Sequence, residues 1–261
     1  MSTQKIVAAL RAISGSPHPK HFTSAVIVAA GLSSRFGGST TKQMTRICGD
    51  PVLIHTVRAY EEAECIHEII IVAKENEIPV WQRLVAEYGF RKVSAIVKGG
   101  ATRQHSVLCG FEAISPRARF VAIADGARCL TTPEMIKSVC HSAYKHGAAT
   151  AAHRSTDTVK IADKKGFIDT TADRETVWMA QTPQAFKVAL YRAAAYTALK
   201  KDITVTDDNS LAESVSYPVK LVECGAQNIK ITTREDLAVA EALLLQRTEA
   251  KKEERTDKED N

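Results

Sequence analysis

The sequence predicts an α/β fold: a mostly parallel sheet with helices on both faces and one β-hairpin projecting from it. Two patterns lead there. Short apolar runs of strand length alternate with helically spaced apolar stripes, and a glycine-rich turn follows the first of those runs. With 261 residues, 44% of them hydrophobic, the chain can bury one sizeable core, so a single domain over 24–247 is expected.

The elements follow in order. Residues 1–23 read as an extension ending in the structure-breaking cluster Ser14-Gly-Ser-Pro-His-Pro19. Residues 24–30, 68–73, 93–97 and 120–124 are rich in β-branched or small apolar side chains and read as buried strands. Asp50-Pro51 supplies an N-cap and a first-turn proline. Trp81, Leu84, Val85 and Tyr88 keep helical spacing up to Gly89. Thr132-Pro133 opens another helix, whose stripe Ile136, Val139, Cys140, Ala143 and Tyr144 stops at Gly147. Residues 158–162 and 166–170 flank Asp163-Lys-Lys, a hairpin pattern read as a dimerisation arm over about 154–176. A helix is expected at 187–200, a strand at 219–222 and a last helix from Arg234, capped by Thr233 and Asp236. The charged tail, 248–261, is expected to be disordered.

Composition narrows the function. The net charge of +5 comes from 35 basic and 30 acidic side chains interleaved along the chain, which suits anionic substrates and gives no basic tract for nucleic acid. No run approaches a membrane span, no signal-peptide core is present, and the six cysteines form no C-x-x-C pair, so a reducing, cytoplasmic setting is expected. The eight histidines supply no H-E-x-x-H, and no G-x-S-x-G elbow accompanies His105-Ser106.

The chemistry is expected in the turn after the first strand, where ligands of open α/β sheets bind. It reads Ala29-Ala-Gly-Leu-Ser-Ser-Arg35-Phe-Gly-Gly-Ser-Thr-Thr-Lys42-Gln43. No glycine is followed by lysine, which excludes a Walker loop. Ser33 takes the second glycine position of G-x-G-x-x-G, which argues against a dinucleotide fold. What remains is a small-residue turn with one guanidinium and one ammonium. Backbone N–H groups at Gly31, Gly37 and Gly38 could wrap phosphates while Arg35 and Lys42 oppose the charge that builds at an α-phosphorus. A surface loop with two solvated cations is the plainer alternative.

The turn resembles the A-A-G-x-x-x-R-(M/F)…K-Q signature of the 2-C-methyl-D-erythritol 4-phosphate cytidylyltransferases. Seven more blocks follow in that family's order: Gly99-Gly-Ala-Thr-Arg103-Gln-His-Ser106-Val, Ala124-Asp125-Gly-Ala-Arg128, Asp157-Thr158-Val-Lys160, Asp173-Arg174, Gln181-Thr182-Pro-Gln184, Thr206-Asp207-Asp208 and Asn228-Ile-Lys230. The resemblance spans 24–246 and implies a Rossmann-like nucleotidyltransferase fold, CTP and a polyol phosphate as substrates, Mg²⁺ or another divalent cation, and a homodimer built through the arm. It implies catalytic roles for Arg35, Lys42, Arg174 and Lys230. Nucleotide contacts are implied at Ala29, Ala30, Gly31, Leu32, Ser33, Gly99, Gly100, Arg103, Ser106, Asp125, Gly126 and Ala127. Substrate contacts are implied at Asp125, Arg128, Thr158, Arg174, Thr182, Asp207 and Lys230, with Asp125 also the candidate Mg²⁺ ligand. Cys129, Thr41 and Ala124 depart from the usual proline, proline and histidine, and Cys129 as a free thiol invites alkylation. Two rival readings are a ribitol-5-phosphate cytidylyltransferase, disfavoured by Asp125-Gly-Ala-Arg128, and a nucleotide- or nucleic-acid-binding protein without catalysis.

Overall fold

The computed structural model describes residues 20–31, 36 and 41–259, with side chains to 250. The strands are β1 (Thr23–Val28), β2 (Arg46–Ile47), β3 (Asp50–Pro51), β4 (Glu68–Ala73), β5 (Val93–Lys98), β6 (Phe120–Asp125), β7 (Ala148–Arg154), β8 (Lys160–Ala162), β9 (Ile168–Thr171), β10 (Trp178–Lys187) and β11 (Lys220–Glu223). The helices are α1 (Val52–Glu62), α2 (Ile78–Glu87), α3 (Arg103–Glu112), α4 (Pro133–His146), α5 (Val188–Lys200), α6 (Asp208–Ser214) and α7 (Glu235–Glu259).

Seven strands form the main sheet in the order β11-β7-β10-β6-β1-β4-β5. All pairs are parallel except those of β10, which runs antiparallel between β6 and β7. The chain leaves β1 toward β4 and β5 on one side and returns to β6 on the other. That reversal opens a crevice beyond the carboxyl ends of β1 and β6.

Strand alternation decides which core each side chain joins. Ala25 and Ile27 of β1 pack with Leu53, Trp81, Ile136 and Val139 under α1, α2 and α4. Val26, between them, packs with Val107, Phe111, Tyr191 and Leu211 under α3, α5 and α6. A third cluster lies at the crevice end, where Phe36, Val52, Leu130, Ile231 and Ala240 seat the start of α7 against the loop after β6.

Several local expectations hold in atomic detail. The Thr132 hydroxyl accepts from the Met135 N–H, Pro133 opens α4, and Gly147 ends it at φ 85°, a left-handed conformation that glycine adopts without strain. Asp236 Oδ2 accepts from the N–H groups of Thr232 and Thr233 at 2.7 and 2.8 Å. β8 and β9 pair only with each other, so the hairpin exists as a separate ribbon.

Three expectations are corrected. Asp50 does not cap α1: it pairs in β3 and its carboxylate binds Arg58 and Tyr88, each at 2.6 Å. The first strand ends at Val28, so Ala29 and Ala30 belong to the loop beyond it. The charged tail continues α7 as far as Glu259 where disorder was expected. Its composition of Ala, Glu, Lys and Arg carries high helix propensity, which offsets the lack of an apolar face once tertiary packing has nucleated the helix. The expected extension, 1–23, lies outside the described residues up to residue 19; Thr23 already opens β1.

Candidate active site

The crevice contains a cavity of about 450 Å³ whose walls come from five chain segments. Ala30 and Gly31 follow β1, Gly100 to Arg103 lead into α3, Asp125 ends β6 with Gly126 and Ala127 after it, and Lys42 and Lys230 reach in from flanking loops. These segments are separated in sequence by up to about two hundred positions, and the parallel sheet aligns their ends at one edge.

Asp125 is the electrostatic centre. Its residue is 8% exposed, and its carboxylate faces Lys230 Nζ at 2.9 Å, Arg103 Nε at 3.6 Å and Arg128 Nε at 3.6 Å. Burial pushes the carboxyl up, but the three cations outweigh burial and hold it at about 2. Asp125 is therefore a fixed anion at neutral pH. Its backbone N–H donates to Thr182 Oγ1 at 3.0 Å, which pins the end of β6 to β10. Thr182 is thus buried behind the carboxylate and does not line the cavity.

The two arginines have separate anchors. Arg103 Nη1 donates to Asp208 Oδ2 at 2.8 Å, and Asp208 in turn accepts from Tyr191 at 2.8 Å. Burial raises the Asp208 carboxyl despite Arg103 beside it. Arg128 Nη1 donates to the Asn228 carbonyl at 2.5 Å. Asn228, fully buried, binds Thr131, Gln181 and Thr182 through its side chain, so the segment carrying Lys230 is stitched to the loop after β6. Lys42 Nζ donates to the Ile231 carbonyl at 2.9 Å, which brings the cation after the glycine-rich turn onto the same wall as Lys230.

The turn before α3 forms the other wall. The Gly100 N–H donates to Ser106 Oγ at 3.1 Å, and that hydroxyl donates back to the Gly100 carbonyl at 3.3 Å. A Cβ on Gly99 would stand 2.4 Å from the Ala30 Cβ, so only glycine lets this turn close against the loop after β1. Thr102 caps α3 by accepting from the His105 N–H at 3.1 Å. The amino end of that helix, the positive end of its dipole, faces the cavity.

Of the residues singled out in the sequence, Ala30, Gly31, Lys42, Gly100, Arg103, Ser106, Asp125, Gly126, Ala127 and Lys230 line the one cavity. Ala29 and Gly99 support it from behind, and Arg128 holds Asp125 from below. Thr158 and Arg174 are exposed on the arm and do not line it. Asp207 has both oxygens engaged: it caps α6 through Ser210 and accepts from Gln184 and Asn209. Leu32, Ser33 and Arg35 lie outside the described residues, as do Gly37 and Gly38. Val28, Ala101 and Thr102 line the cavity without having been singled out, and two more consequential residues escaped the sequence reading. Gln43, 3% exposed, was seen only as half of a Lys-Gln pair, and Asp208 was passed over for its neighbour Asp207.

Three comparisons bear on this arrangement. The family model of the 2-C-methyl-D-erythritol 4-phosphate cytidylyltransferases matches residues 23–246. The 2-C-methyl-D-erythritol 4-phosphate cytidylyltransferase of Alkaliphilus oremlandii is 40% identical over 230 residues, 88% of this chain and 98% of that protein. That of Caldanaerobacter subterraneus is 44% identical over 222 residues, 85% of this chain and 98% of that protein. The crystal structure of 4-diphosphocytidyl-2C-methyl-D-erythritol synthase from Anaerococcus prevotii superposes with a TM-score of 0.77 at 32% identity, covering 86% of this chain and 96% of that one. With its sheet order, its cation-ringed crevice and these likenesses in agreement, the chain belongs to the family of 2-C-methyl-D-erythritol 4-phosphate cytidylyltransferases.

Proposed function

We propose that this chain transfers CMP from CTP to 2-C-methyl-D-erythritol 4-phosphate, releasing pyrophosphate and giving 4-diphosphocytidyl-2-C-methyl-D-erythritol for isoprenoid precursor synthesis. The observation that carries the reading is one cavity at the sheet's reversal point lined by Lys42, Arg103 and Lys230 together with a buried, ionised Asp125 that pairs with the last two. With Arg128 behind Asp125 and Asp208 behind Arg103, four cations stand against two carboxyl groups, which leaves net positive charge where a triphosphate would lie. The incoming phosphate is already an anion, so the protein needs no general base. Its task is to align the nucleophile with the α-phosphorus and to oppose charge growing on the equatorial oxygens and on pyrophosphate. Lys42 serves the second purpose, with Arg35 assigned beside it by family resemblance. Lys230, held by Asp125 at 2.9 Å, stands where it can orient the second phosphate.

The turn through Gly99, Gly100 and Ser106 offers backbone groups and the Ser106 hydroxyl at short range to read the edge of a cytosine. Asp125 also suits Mg²⁺. It is ionised, supplies hard oxygens and lines the cavity, and a magnesium ion takes one or two carboxylates with the rest of its shell from phosphates and water. Bound there, Mg²⁺ would neutralise the polyphosphate.

The arm supports a homodimer. Ile161, Phe167 and Ile168 expose apolar surface on a two-stranded ribbon that has no core of its own, and a second copy would cover it. Thr158 and Arg174 on that arm would then complete a neighbour's polyol-phosphate pocket. No helix among the described residues is long and apolar enough to cross a membrane, and a cytoplasmic setting fits the substrates.

The test is pyrophosphate release from CTP, 2-C-methyl-D-erythritol 4-phosphate and Mg²⁺. Release dependent on all three is expected, with ribitol 5-phosphate turned over far more slowly. Lys42→Ala should lower kcat by roughly a hundredfold or more, about 3 kcal/mol for one preorganised charge contact. Equal or faster turnover of ribitol 5-phosphate reassigns the acceptor, and no CTP-dependent release from folded protein removes the reading.

A further inference from the structure

Asp208 does not line the cavity, yet it is 1% exposed and grips a cation that does. It opens α6, and its carboxylate joins two other helices. Oδ2 accepts from Arg103 Nη1 at the head of α3, and Oδ1 accepts from the Tyr191 hydroxyl on α5, each at 2.8 Å. The Asp208 backbone N–H donates to Gln184 Oε1 of β10 at 2.9 Å. Tyr191 packs on Phe111 and Phe186 in the second core, with ring centroids 4.9 and 5.5 Å away, so the carboxylate is fixed from the rigid side of the molecule.

Arg103 stands between two carboxylates and shares itself unequally. Its Nη1 is 2.8 Å from Asp208, whereas its Nε stays 3.6 Å from Asp125 Oδ1, beyond hydrogen-bonding distance. Nη2 has no hydrogen-bond partner among the described residues. A guanidinium left beside one carboxylate settles into a two-point pair, and an edge such as Nε with Nη2 makes that pair. Here such a pair would consume both donors and cover Asp125.

We propose that Asp208 is a positioning residue for nucleotide binding: by holding Arg103 at Nη1, it keeps the edge made by Nε and Nη2 off Asp125 and open to an oxygen of the bound nucleotide. The inference rests on the reading that CTP occupies this crevice. A buried ion pair adds little net stability over apolar packing of the same shape, so fold stability alone does not account for burying this one. In Asp208→Asn, Arg103 has only Asp125 to pair with, and its edge closes on that carboxylate. An arginine that meets the nucleotide in the ground state and the transition state alike affects KM more than kcat.

The test is steady-state pyrophosphate release with CTP varied at saturating acceptor, on variants whose thermal unfolding shows them folded. Asp208→Asn should raise KM for CTP at least about tenfold while kcat falls no more than about threefold. Tyr191→Phe keeps the ring and both charges but removes the donor to Asp208 Oδ1, and should raise KM about two- to threefold. Lysine at 103 keeps the positive charge beside Asp208 but has no planar edge to align. In the Arg103→Lys background, Asp208→Asn should therefore raise KM less than about twofold further. An equal rise in both backgrounds overturns the proposal, because Asp208 would then act on the fold and not through Arg103. A KM for Asp208→Asn within about twofold of wild type also overturns it, as does an unchanged KM for Tyr191→Phe should Asp208→Asn fail to fold. Wild-type protein without CTP-dependent release would instead remove the reading of the crevice itself.

Discussion

Asp125 shows how one side chain ties the site to the fold. Its ionised form is stabilised by Lys230, Arg103 and Arg128, which depress its titration from 3.8 to about 2. A carboxyl depressed on folding contributes stability above its unfolded value, and the contribution is lost as pH falls through its folded value. Stability worth about 2 kcal/mol should therefore disappear between about pH 4 and pH 2. Asp208, raised by burial, runs in the opposite sense, so the comparison that isolates Asp125 is wild type against Asp125→Asn. In urea titrations at stepped pH, the wild-type advantage at pH 6 should shrink toward zero by pH 2, and an advantage independent of pH would contradict the assignment. Gly99 is the second residue where a single atom decides the outcome. In Gly99→Ala the new Cβ meets the Ala30 Cβ at 2.4 Å, so the turn must back away from the loop after β1. A cost of about 1–3 kcal/mol in stability is expected from such overpacking. It should come with a raised KM for CTP, read by steady-state kinetics, and unchanged nucleotide affinity would place the turn outside the binding site. At this scale the sequence named most of the cavity, because block motifs mark side chains whose chemistry is fixed. It missed Asp208, because two adjacent aspartates look alike until one is seen facing Arg103 and the other capping α6.

Among the elements, those with strong local signals were legible. β4 and β6 are continuous apolar runs buried on both faces, and α4 carries its own start and stop in Thr132, Pro133 and Gly147. β7 and β10 were not read from the chain. Ala148–Arg154 is alanine-rich and carries no strand propensity of its own, and β10 holds Gln181, Pro183 and Gln184 in its middle. Both become strands through tertiary pairing: β10 fills the gap between β6 and β7 and lets its ladder shift between Ala180 and Gln184. The hairpin β8–β9 had the opposite fate. It was evident in sequence because Asp163 can close a turn, and its Oδ1 accepts from the N–H groups of Lys165 and Phe167. Phe167, 71% exposed at its tip, is the clearest place to test dimerisation through the arm. Phe167→Glu should convert dimer to monomer in sedimentation velocity while leaving the thermal midpoint of the main sheet within a few degrees, and a dimer that survives the substitution at micromolar concentration would relocate the interface.

For the whole molecule, the sheet's reversal between β1 and β6 is what gathers distant blocks into one cavity. A linear reading could list Gly31, Lys42, Ser106, Asp125 and Lys230, but only the parallel register of β1 with β4 and β6 brings the ends of those strands level. The third core cluster then completes the crevice, because Ile231 and the start of α7 pack on Ala127 and Leu130 and so carry Lys230 to Asp125. The central claim is that this crevice holds the triphosphate of CTP against Lys42 with the base in the turn at Gly100 and Ser106. A crystal structure of the protein soaked with CTP and Mg²⁺ tests it most directly. The account predicts phosphate oxygens within hydrogen-bonding distance of Lys42 Nζ, with cytosine beside Ser106 and the metal between Asp125 and the phosphates. A nucleotide bound away from the β1–β6 edge, with Lys42 Nζ still donating to the Ile231 carbonyl and to no phosphate, would contradict it.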